Sequence, residues 1–427
     1  MLQIFLVFVT MLFLIFLGFP IFVSLLVTGI IFTLAMDIPP SLVAIKVFGS
    51  LDSFALMAIP FFILAGNLMS AGKITNRLVD LANSVVGCFK GGLGHVNILA
   101  SALFGSIQGS GAADASAIGG ILIPTMVKQG YSPEYSVAVT TASSMLSPII
   151  PPSIAMILYS YYTDLPVGTL FLAGYLPGVI LMAGMMLINH FFCRNLALPT
   201  TKFTWQNLKR SLAASIGALI MPLIIVGGIV FGIVSPTEAG ILAILYGLFY
   251  GLFISRDLKV EAIPRILLDS AITTAVVMMT IAAAGVVGNV FVRMRFQDQV
   301  LNFAVNTIGH PYLATFFIML ILVILGCFLD PTVLIAMFAP SMLRIGNALG
   351  FNPIHYGLLM VIVMQMGAIT PPVGTFFFIS CSIARLPLEK SIKPLMPFIL
   401  LIISVAILIL YVPSIATFLP SLLGKLR

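Results

Sequence analysis

GSIQGSGAAD, at residues 105–114, contains three glycines and one aspartate between apolar segments, and PPS follows it at residues 151–153. The same succession occurs in the second half of the chain, where GCFLDPT at residues 326–332 precedes a Pro-Pro pair at residues 371–372. Such residues interrupt hydrophobic helices, and interrupted backbone is tolerated in a bilayer only where it lines a cavity. The repeated breaks therefore predict a substrate and ion site at the bilayer midplane, as in secondary transporters.

The spacing of the two copies supports an internal repeat. Two intervals are common to both copies: aspartate to proline (Asp114 to Pro124, Asp330 to Pro340) and proline to proline (Pro133 to Pro151, Pro353 to Pro371). The connector between these intervals is four residues longer in the second copy. This spacing pairs Asp114 with Asp330 and predicts that each repeat contains a helical hairpin followed by a helix interrupted at Pro-Pro.

The composition is that of an integral membrane protein. Of the 427 residues, 60% are hydrophobic and 8% are charged, and the mean hydropathy is +1.19. So few charges cannot cover an aqueous surface. The longest polar stretch, Leu198–Arg210, is too short for an extramembrane domain. The net charge of +7 is explained by basic loops that face the cytoplasm and anionic lipid, and we expect no nucleic-acid partner.

Cysteine and histidine give no sign of a metal site. The four cysteines and four histidines are scattered and lack the spacing of zinc ligands, so we expect free thiols and no metal other than Na⁺. No basic residue precedes Lys46, so the N-terminal apolar run lacks the charged region of a signal peptide. We expect it to be an uncleaved membrane helix.

The basic residues predict the membrane topology. Four basic clusters are assigned to the cytoplasm: Lys73–Lys90, Arg194–Arg210, Arg256–Arg265 and Arg385–Lys393. With these clusters fixed, the first hairpin enters and leaves on the cytoplasmic side, whereas the second enters from outside. The prediction is an all-α polytopic membrane protein with two inverted-topology repeats, each with a re-entrant hairpin. Arg293 and Arg295 then lie outside, against the rule.

The predicted division of the chain follows from this topology. N-terminal scaffold helices (residues 1–72) and an interfacial connector (73–90) precede the first repeat core (91–199), which has a hairpin at 91–128, a broken helix at 133–162 and a helix at 166–192. Interfacial arms and scaffold helices (200–266) lead to the second repeat core (267–384), which has a helix at 267–292, a hairpin at 310–347 and a broken helix at 353–384. A C-terminal arm and helix (385–427) follow.

Two parts of the scaffold admit alternatives. The first 36 residues form either two short spans that meet near Pro20 or one long kinked helix, and the side of the N-terminus is open. Three polar linkers, Lys73–Asn83, Thr200–Ser211 and Arg256–Arg265, mix charged and apolar residues as interfacial helices do, and otherwise they are plain loops. As helices they would serve as lever arms between a static frame and a moving part.

The two aspartates need a polar environment. A carboxylate at the midplane costs about 3 kcal/mol on insertion scales, so Asp114 and Asp330 should face protein or water. Helix capping is the structural alternative for both, and it is compatible with ligand contact because a helix start offers free amides. We expect Asp330 to contact hydroxyls of the substrate, and the substrate's acid group to lie nearer Ser110 and Ser153.

The Pro-Pro breaks are rich in uncharged oxygen. Ser143, Ser144 and Ser147 precede the first break, while Thr370 and Thr375 flank the second. Proline frees the carbonyl oxygens of the preceding turn, and hydroxyls add further hard ligands, a combination that suits Na⁺. Back-bonding within an ordinary helix is the alternative for any one of these hydroxyls.

Several stretches together resemble the large membrane subunit of the tripartite ATP-independent periplasmic (TRAP) transporters. The similar stretches are Gly91–Asn97 leading to Gly109–Asp114, Ser143–Ser153, Ser235–Ala239 and Ile369–Gly374. The resemblance covers nearly the whole chain, and its general character is similar to the sialic-acid branch. It implies an elevator-type transporter of the ion-transporter superfamily in the bacterial inner membrane.

The resemblance also implies partners and site residues. The partners are a small four-helix membrane subunit and a soluble periplasmic binding protein that delivers an organic acid, both expected as separate chains. The hairpin tips and the Pro-Pro breaks would frame the sites for the co-transported Na⁺ and the substrate. The residues carried over for Na⁺ are Ser106, Gly109, Asp114, Ser147, Gly326, Gly367, Thr370 and Thr375, and those for the substrate are Ser110, Ser153, Asp330 and Thr332.

Two other functions remain open at this point. One is a self-sufficient Na⁺/dicarboxylate symporter that needs no binding protein, and the other is a passive anion channel built from the same broken helices. An enzyme or an ATP-driven pump is not indicated. Residues 66–73 fail the P-loop pattern, and neither a Ser-His-Asp arrangement nor an H-E-x-x-H motif is present.

Overall fold

The computed structural model describes residues 2–302 and 308–425, in which there are twenty α-helices and no strands. Five helical segments in this part of the chain are long and apolar enough to cross a membrane. They are Val167–Cys193, Trp205–Val230, Pro236–Ile254, Val260–Arg293 and Leu388–Tyr411. The other helices are shorter, and the hairpins and broken helices are built from them.

The first five helices belong to the N-terminal scaffold: α1 (Leu2–Phe16), α2 (Ile21–Ala35), α3 (Ser41–Gly49), α4 (Ala58–Ala71) and α5 (Ile74–Val86). Gly18, at a φ of 89°, and Pro20 end α1, and α1 then packs against α2. Two short helices are therefore present, not one kinked helix. α5 bends by 71° from α4.

The first repeat contains α6 (Gly92–Gln108), α7 (Gly111–Lys128), α8 (Pro133–Ser144), α9 (Ile154–Thr163) and α10 (Val167–Cys193). α6 and α7 form a hairpin whose tip is only Gly109 and Ser110. α8 and α9 are separated by nine residues that contain the first Pro-Pro pair, whose peptide bond is cis.

Two long helices connect the repeats, α11 (Trp205–Val230) and α12 (Pro236–Phe249), and a π-helical turn, Tyr250–Ile254, follows α12. Ser235 begins α12 with a capping box, in which its hydroxyl accepts from the Glu238 amide at 3.3 Å and the Glu238 carboxylate accepts from the Ser235 amide at 2.7 Å. These reciprocal bonds satisfy two helix-start donors, which explains the sharp turn here.

The second repeat contains α13 (Ile263–Arg293), α14 (Phe296–Asn302), α15 (Pro311–Gly326), α16 (Pro331–Ala348), α17 (Pro353–Met366) and α18 (Thr375–Ala384). α15 and α16 form the second hairpin, with its tip at Cys327–Asp330. The second Pro-Pro peptide, between α17 and α18, is also cis. The short helix α14 was not expected from the sequence.

The two repeats exchange contacts across the core. α7 of the first hairpin packs on α18 of the second broken helix, and α16 of the second hairpin packs on α9 of the first. Each hairpin is therefore held partly by the opposite repeat. Two further helices, α19 (Leu388–Tyr411) and α20 (Ser414–Leu422), close the fold, and α19 packs on α8, α10 and α17.

Two of the polar linkers and the expected C-terminal arm do not form separate helices in the structure. Thr200–Ser211 is loop up to Thr204, which caps α11, and α11 then runs without a break to Val230. Arg256–Arg265 has a single 3₁₀ turn before α13, and the C-terminal arm is the first part of α19. Short helices are costly to nucleate, so these polar segments extend the apolar helices that follow them. Lys73–Asn83 does lie in a helix of its own, α5.

The pairing of Asp114 with Asp330 is also wrong. α7 and α16 each have 18 residues, and their N-caps are Ser110 and Asp330. Aligned by these caps, Asp330 corresponds to Ser110, and Asp114 corresponds to Leu334. The equal aspartate-to-proline spacing is coincidental, because a helix start is fixed by its cap and not by an internal proline.

Candidate functional site

A cavity of about 640 Å³ lies where both hairpin tips, the first Pro-Pro break, the helices flanking the second break and the scaffold meet. The scaffold contributes α4, the start of α2 and the loop before α2, and α13 of the second repeat completes this side. Eight polar or charged side chains line the cavity: Asn67, Gln108, Ser110, Thr273, Thr280, Asp330, Thr332 and Gln365. Asp330 carries the one formal charge among the described lining residues, which include no lysine, arginine or histidine.

The first hairpin tip is pressed against its own repeat's break. Gly109 has a φ of 66°, and a Cβ added to it would lie 2.5 Å from the carbonyl oxygen of Pro152. The amide of Ile154 donates to the carbonyl oxygen of Gly109 at 3.3 Å. Ser110 caps α7, and its hydroxyl faces the Ala113 amide at 3.5 Å. Only glycine fits at position 109, because the left-handed backbone and the close approach both exclude a side chain.

The second hairpin tip is tied to the second break in a similar way. The amide of Gly374 donates to the carbonyl oxygen of Cys327 at 3.1 Å. Asp330 caps α16, and its Oδ1 accepts from the Thr332 amide at 2.9 Å and from the Thr332 hydroxyl at 2.5 Å. Oδ2 accepts no hydrogen bond from the described residues. This arrangement leaves one carboxylate oxygen available at the cavity.

Asp114 lies in a different environment. It is in the first turn of α7, has no exposed surface, and lies beside the hydroxyls of Ser101, Ser144 and Ser147. Those hydroxyls are directed elsewhere: Ser144 donates to the Thr140 carbonyl at 2.8 Å, and Ser101 donates to the Ser143 hydroxyl at 3.0 Å. Among the described residues, neither Asp114 oxygen receives a hydrogen bond of acceptable geometry.

A buried carboxylate without a basic partner is strongly unfavourable unless it is protonated or a bound cation compensates it. The described chain places no basic side chain in a salt bridge with Asp114. The four oxygen-bearing side chains therefore form a hard-ligand set with lone pairs available, which is the chemistry that a small monovalent or divalent cation requires. Na⁺ fits this donor set.

Close backbone contacts join each hairpin to its own break. A Cβ on Gly105 would lie 2.5 Å from the Cα of Ser147, and a Cβ on Gly367 would lie 2.2 Å from the carbonyl carbon of Gly326. Ser147 and Gly367 each lie four residues before a Pro-Pro pair. In each repeat the residue four positions before the Pro-Pro pair thus contacts a hairpin glycine, and the absence of a side chain on that glycine permits the contact.

The second break offers mainly backbone oxygen. A Cβ on Gly374, which has a φ of 51°, would lie 2.9 Å from the carbonyl oxygens of both Ala368 and Thr370. The hydroxyl of Thr375 is buried without a hydrogen-bond partner in the described chain, whereas that of Thr370 donates to the Met366 carbonyl at 2.7 Å. These oxygens suit a cation that needs no formal negative charge beside it.

Three of the four substrate residues expected from the sequence meet at the cavity, namely Ser110, Asp330 and Thr332. Ser153 is not among the residues that line it. Its hydroxyl is buried, donates to the Pro148 carbonyl at 2.6 Å and caps α9 through the Met156 amide at 3.2 Å. A serine that follows Pro-Pro at a helix start is used for capping, and this competes with ligand contact.

The residues expected to bind Na⁺ are distributed over two places. Asp114 and Ser147 lie together in the first repeat, and Gly326, Gly367, Thr370 and Thr375 lie at or near the second break. Gly109 lies at the first tip and lines the cavity. Ser106 is half-buried, and its hydroxyl donates to the Leu103 carbonyl at 2.6 Å, a back-bond within α6. This bond directs the Ser106 proton into the helix.

Sequence reasoning missed several polar groups. Ser101 was overlooked because a single serine in an apolar helix is usually back-bonded. Asn67 lines the cavity from α4 and donates to the Ser270 hydroxyl on α13 at 2.8 Å. Gln108 rests on Gly66 of the scaffold, where a Cβ would lie 2.6 Å from its Cγ, and its Oε1 has no partner in the described chain. For Asn67 and Gln108 the signal in the sequence is an amide side chain isolated in an apolar helix.

This fold and cavity define a multi-pass membrane protein of the transport-permease class, with a polar chamber enclosed by broken helices. A solved transporter, YdaH of Alcanivorax borkumensis, shares the fold with a TM-score of 0.55 over 86% of this chain and 87% of that chain, at 14% sequence identity. Residues 8–415 match the model of the DctM component of the tripartite ATP-independent periplasmic transporters. The chain belongs to that family, and it is a protein of the bacterial inner membrane.

Characterised relatives are similar over almost their full length. The chain is 33% identical to the C4-dicarboxylate TRAP transporter large permease protein of Pseudomonas aeruginosa, covering 89% of this chain and 90% of the relative. It is 30% identical to the sialic acid TRAP transporter large permease protein of Vibrio cholerae, with 96% of each covered. It is 32% identical to the 2,3-diketo-L-gulonate TRAP transporter large permease protein of Escherichia coli, covering 93% and 94%.

Proposed function

We propose that this chain is the translocating subunit of a Na⁺-coupled secondary importer for a carboxylated organic solute. In this proposal a periplasmic binding protein delivers the solute, and a small membrane subunit, a separate chain, completes the assembly. The observation that carries the proposal is the meeting of both hairpin tips and the helices next to both breaks at one cavity, close to a buried carboxylate that has serine hydroxyls beside it but no basic partner in the described chain. Family membership supports the division into three components.

Two Na⁺ sites follow from the oxygen groups. The first uses the carboxylate of Asp114 with the hydroxyls of Ser101, Ser144 and Ser147 as oxygen ligands. The second uses the carbonyl oxygens of Ala368 and Thr370, together with the hydroxyls of Thr370 and Thr375, beside the contact between Gly326 and Gly367. Both sites adjoin a hairpin tip, so Na⁺ binding would fix the tips in the arrangement that forms the substrate chamber.

The substrate is expected to lie between the two tips. The three characterised relatives above are named for a dicarboxylate, a sialic acid and a sugar acid, and all three ligands carry at least one carboxylate. In this chain the amides at the start of α7, beside Ser110, would receive the acid group, because a helix start attracts an anion. Asp330 would repel that group and instead accept hydrogen bonds from substrate hydroxyls. Sialic acid remains the first substrate to test.

The mechanism proposed is an elevator movement of inverted repeats. The cavity is lined by both hairpins and by α4 of the N-terminal scaffold, and the contact of Gln108 with Gly66 joins the first hairpin to α4. Cysteines introduced as Ser110→Cys and Thr332→Cys should change in aqueous accessibility with Na⁺ and substrate, because the two tips lie on one chamber. Equal labelling in every condition would contradict the elevator proposal.

Uptake into proteoliposomes tests the function directly. The chain is reconstituted with its small subunit, and uptake of labelled sialic acid, succinate or diketogulonate is measured with and without an inward Na⁺ gradient and the binding protein. The proposal requires both the gradient and the binding protein. Uptake with Na⁺ alone would indicate a self-sufficient symporter, and uptake that needs neither would indicate a passive channel.

A further inference from the structure

A second polar pocket, of about 300 Å³, lies between α5 and the beginning of α11, formed by residues separate from those of the central cavity. It is formed where the charged loop between two membrane-length helices, α10 and α11, meets α5. The lining includes the basic side chains of Lys202 and Arg210, the amides of Asn83 and Asn207, and the carboxylate of Asp80. Neither the proposed transport nor the Na⁺ sites use these residues.

The charge of this pocket is not balanced. Arg77 also lines it, but its guanidinium is paired with Asp257 at 2.5 Å and donates to the Tyr250 hydroxyl at 2.7 Å. Within residues 2–302 and 308–425, Lys202 and Arg210 form no salt bridge. The pocket therefore holds two basic side chains without a salt bridge and one carboxylate, so its net charge is positive.

Two exposed aromatic side chains suited to the membrane interface lie close in sequence to the basic residues of the pocket. Trp205 is 70% exposed and Phe203 is 45% exposed, and their rings meet edge to face at 5.5 Å. Both residues lie within three positions of Lys202. Indole rings and basic side chains together are typical of the headgroup level of a bilayer, where the ring contacts the glycerol region and the cation contacts phosphate.

The pocket also joins two parts of the scaffold. The Thr201 amide donates to the Gly87 carbonyl at 3.0 Å, which ties the loop before α11 to the end of α5. Asn83 contributes from α5 and Asn207 from α11. A phosphate oxygen accepts hydrogen bonds from amide and basic donors alike, so one phosphate group can bridge both helices.

We propose that this pocket binds the phosphate of an anionic phospholipid headgroup. Lys202 and Arg210 neutralise the phosphate, the amides of Asn83 and Asn207 fix its position, and Trp205 with Phe203 contacts the glycerol and upper acyl region. The bound lipid links α5 to α11, and α5 leads directly into the first hairpin. The inference is independent of the transported substrate.

The test measures lipid binding to the purified full chain by native mass spectrometry. Dioleoylphosphatidylglycerol is titrated against dioleoylphosphatidylcholine, for wild type and for the double variant Lys202→Gln/Arg210→Gln. The matched control is Lys209→Gln/Lys259→Gln, which removes two positive charges near the same surface but outside the pocket lining. We expect the pocket variant to bind phosphatidylglycerol at least about tenfold more weakly, because both basic residues that face the anionic headgroup are lost, and the control to stay within about twofold.

Three results would overturn the proposal. Equal weakening in both double variants would mean that only the overall positive charge matters. Unchanged binding in a pocket variant that elutes as a folded protein would exclude the pocket, and Lys202→Gln alone serves if the double variant is unstable. Displacement of phosphatidylglycerol by equal concentrations of inorganic phosphate or glycerol 3-phosphate would show a site for soluble phosphate instead of lipid.

Discussion

The two repeats of the core share a backbone plan but place their hairpin carboxylates differently. In the first repeat Ser110 caps α7, and Asp114 lies four residues further on, buried beside three serine hydroxyls. In the second repeat Asp330 itself is the cap, at the cavity, and the position equivalent to Asp114 is the buried Leu334. A shift of one helical turn thus separates a carboxylate suited to an ion from one suited to a substrate.

The contacts between each hairpin and its Pro-Pro break also differ between the repeats. The first repeat packs Gly105 against Ser147, so one side chain remains at the contact and contributes a hydroxyl. The second packs Gly326 against Gly367, with no side chain on either partner. The first break therefore supplies side-chain oxygen beside the carboxylate of Asp114 on α7, whereas the second supplies mainly backbone carbonyls. We therefore predict that adding a side chain at this contact disturbs the second repeat more than the first.

The largest effect is expected for Gly367→Ala. Its Cβ would lie 2.2 Å from the backbone of Gly326, and backbone cannot move aside as a side chain can, so overpacking should cost more than about 3 kcal/mol. Uptake should be lost and the thermal midpoint lowered. Gly120→Ala is the control, because a Cβ there meets nothing within 4 Å. Normal uptake by Gly367→Ala would show that the contact is not as close as described.

Asp114→Asn should have the next largest effect. Removing the charge while keeping the shape should reduce Na⁺-driven uptake roughly 100-fold, the equivalent of about 3 kcal/mol of charge-assisted binding. Ser116→Ala, on the exposed side of the same helix, is the matched control. If Asp114→Asn kept the wild-type dependence on Na⁺, the buried carboxylate would have no part in coupling.

Asp330→Asn should act on the substrate and not on Na⁺. Asparagine also caps helices, so the fold should persist, while transport falls at least about tenfold through the loss of roughly 1.4 kcal/mol of hydrogen bonding to the charged oxygen. Initial rates at varied Na⁺ and varied substrate separate the two effects. Wild-type transport would reduce Asp330 to a helix cap, and a changed Na⁺ half-saturation would remove the distinction between the repeats.

The smallest effects are expected for single hydroxyls. Ser147→Ala and Thr370→Val each remove one oxygen, and we expect the Na⁺ half-saturation to rise about three- to tenfold with little change in maximal rate. Ser147 should show the larger change because it lies beside Asp114, whereas the Thr370 hydroxyl already donates to Met366. An unchanged half-saturation in both variants would exclude these residues from the sites.

The sequence predicts the helices of the core because glycine and proline mark their ends directly. The tips near Gly109 and Asp330 and the breaks at both Pro-Pro pairs lie where the chain cannot continue a helix. Inversion in the membrane and movement remain predictions, since no bilayer is part of the fold. The register between the repeats was wrong because equal spacing of aspartate and proline was given more weight than the helix caps.

The site was only partly predictable. Motif positions indicated Ser110, Asp330 and Thr332 as neighbours of one cavity, since each lies at or just after a helix interruption. The position of Ser153 behind the break depends on the direction of a hydroxyl, which sequence does not specify. The partners of Asp114 come from α6 and from the first break, and that convergence depends on tertiary packing.

Direct Na⁺ binding tests the central claim, that the first repeat holds a cation with Asp114 while Asp330 serves the substrate. Binding of ²²Na⁺ to the purified chain is measured by scintillation proximity for wild type, Asp114→Asn and Asp330→Asn, side by side and without substrate. The account predicts that Asp114→Asn weakens Na⁺ binding by roughly 100-fold at one site while Asp330→Asn leaves it within about twofold of wild type. Equal loss in both variants, or a loss confined to Asp330→Asn, would contradict it.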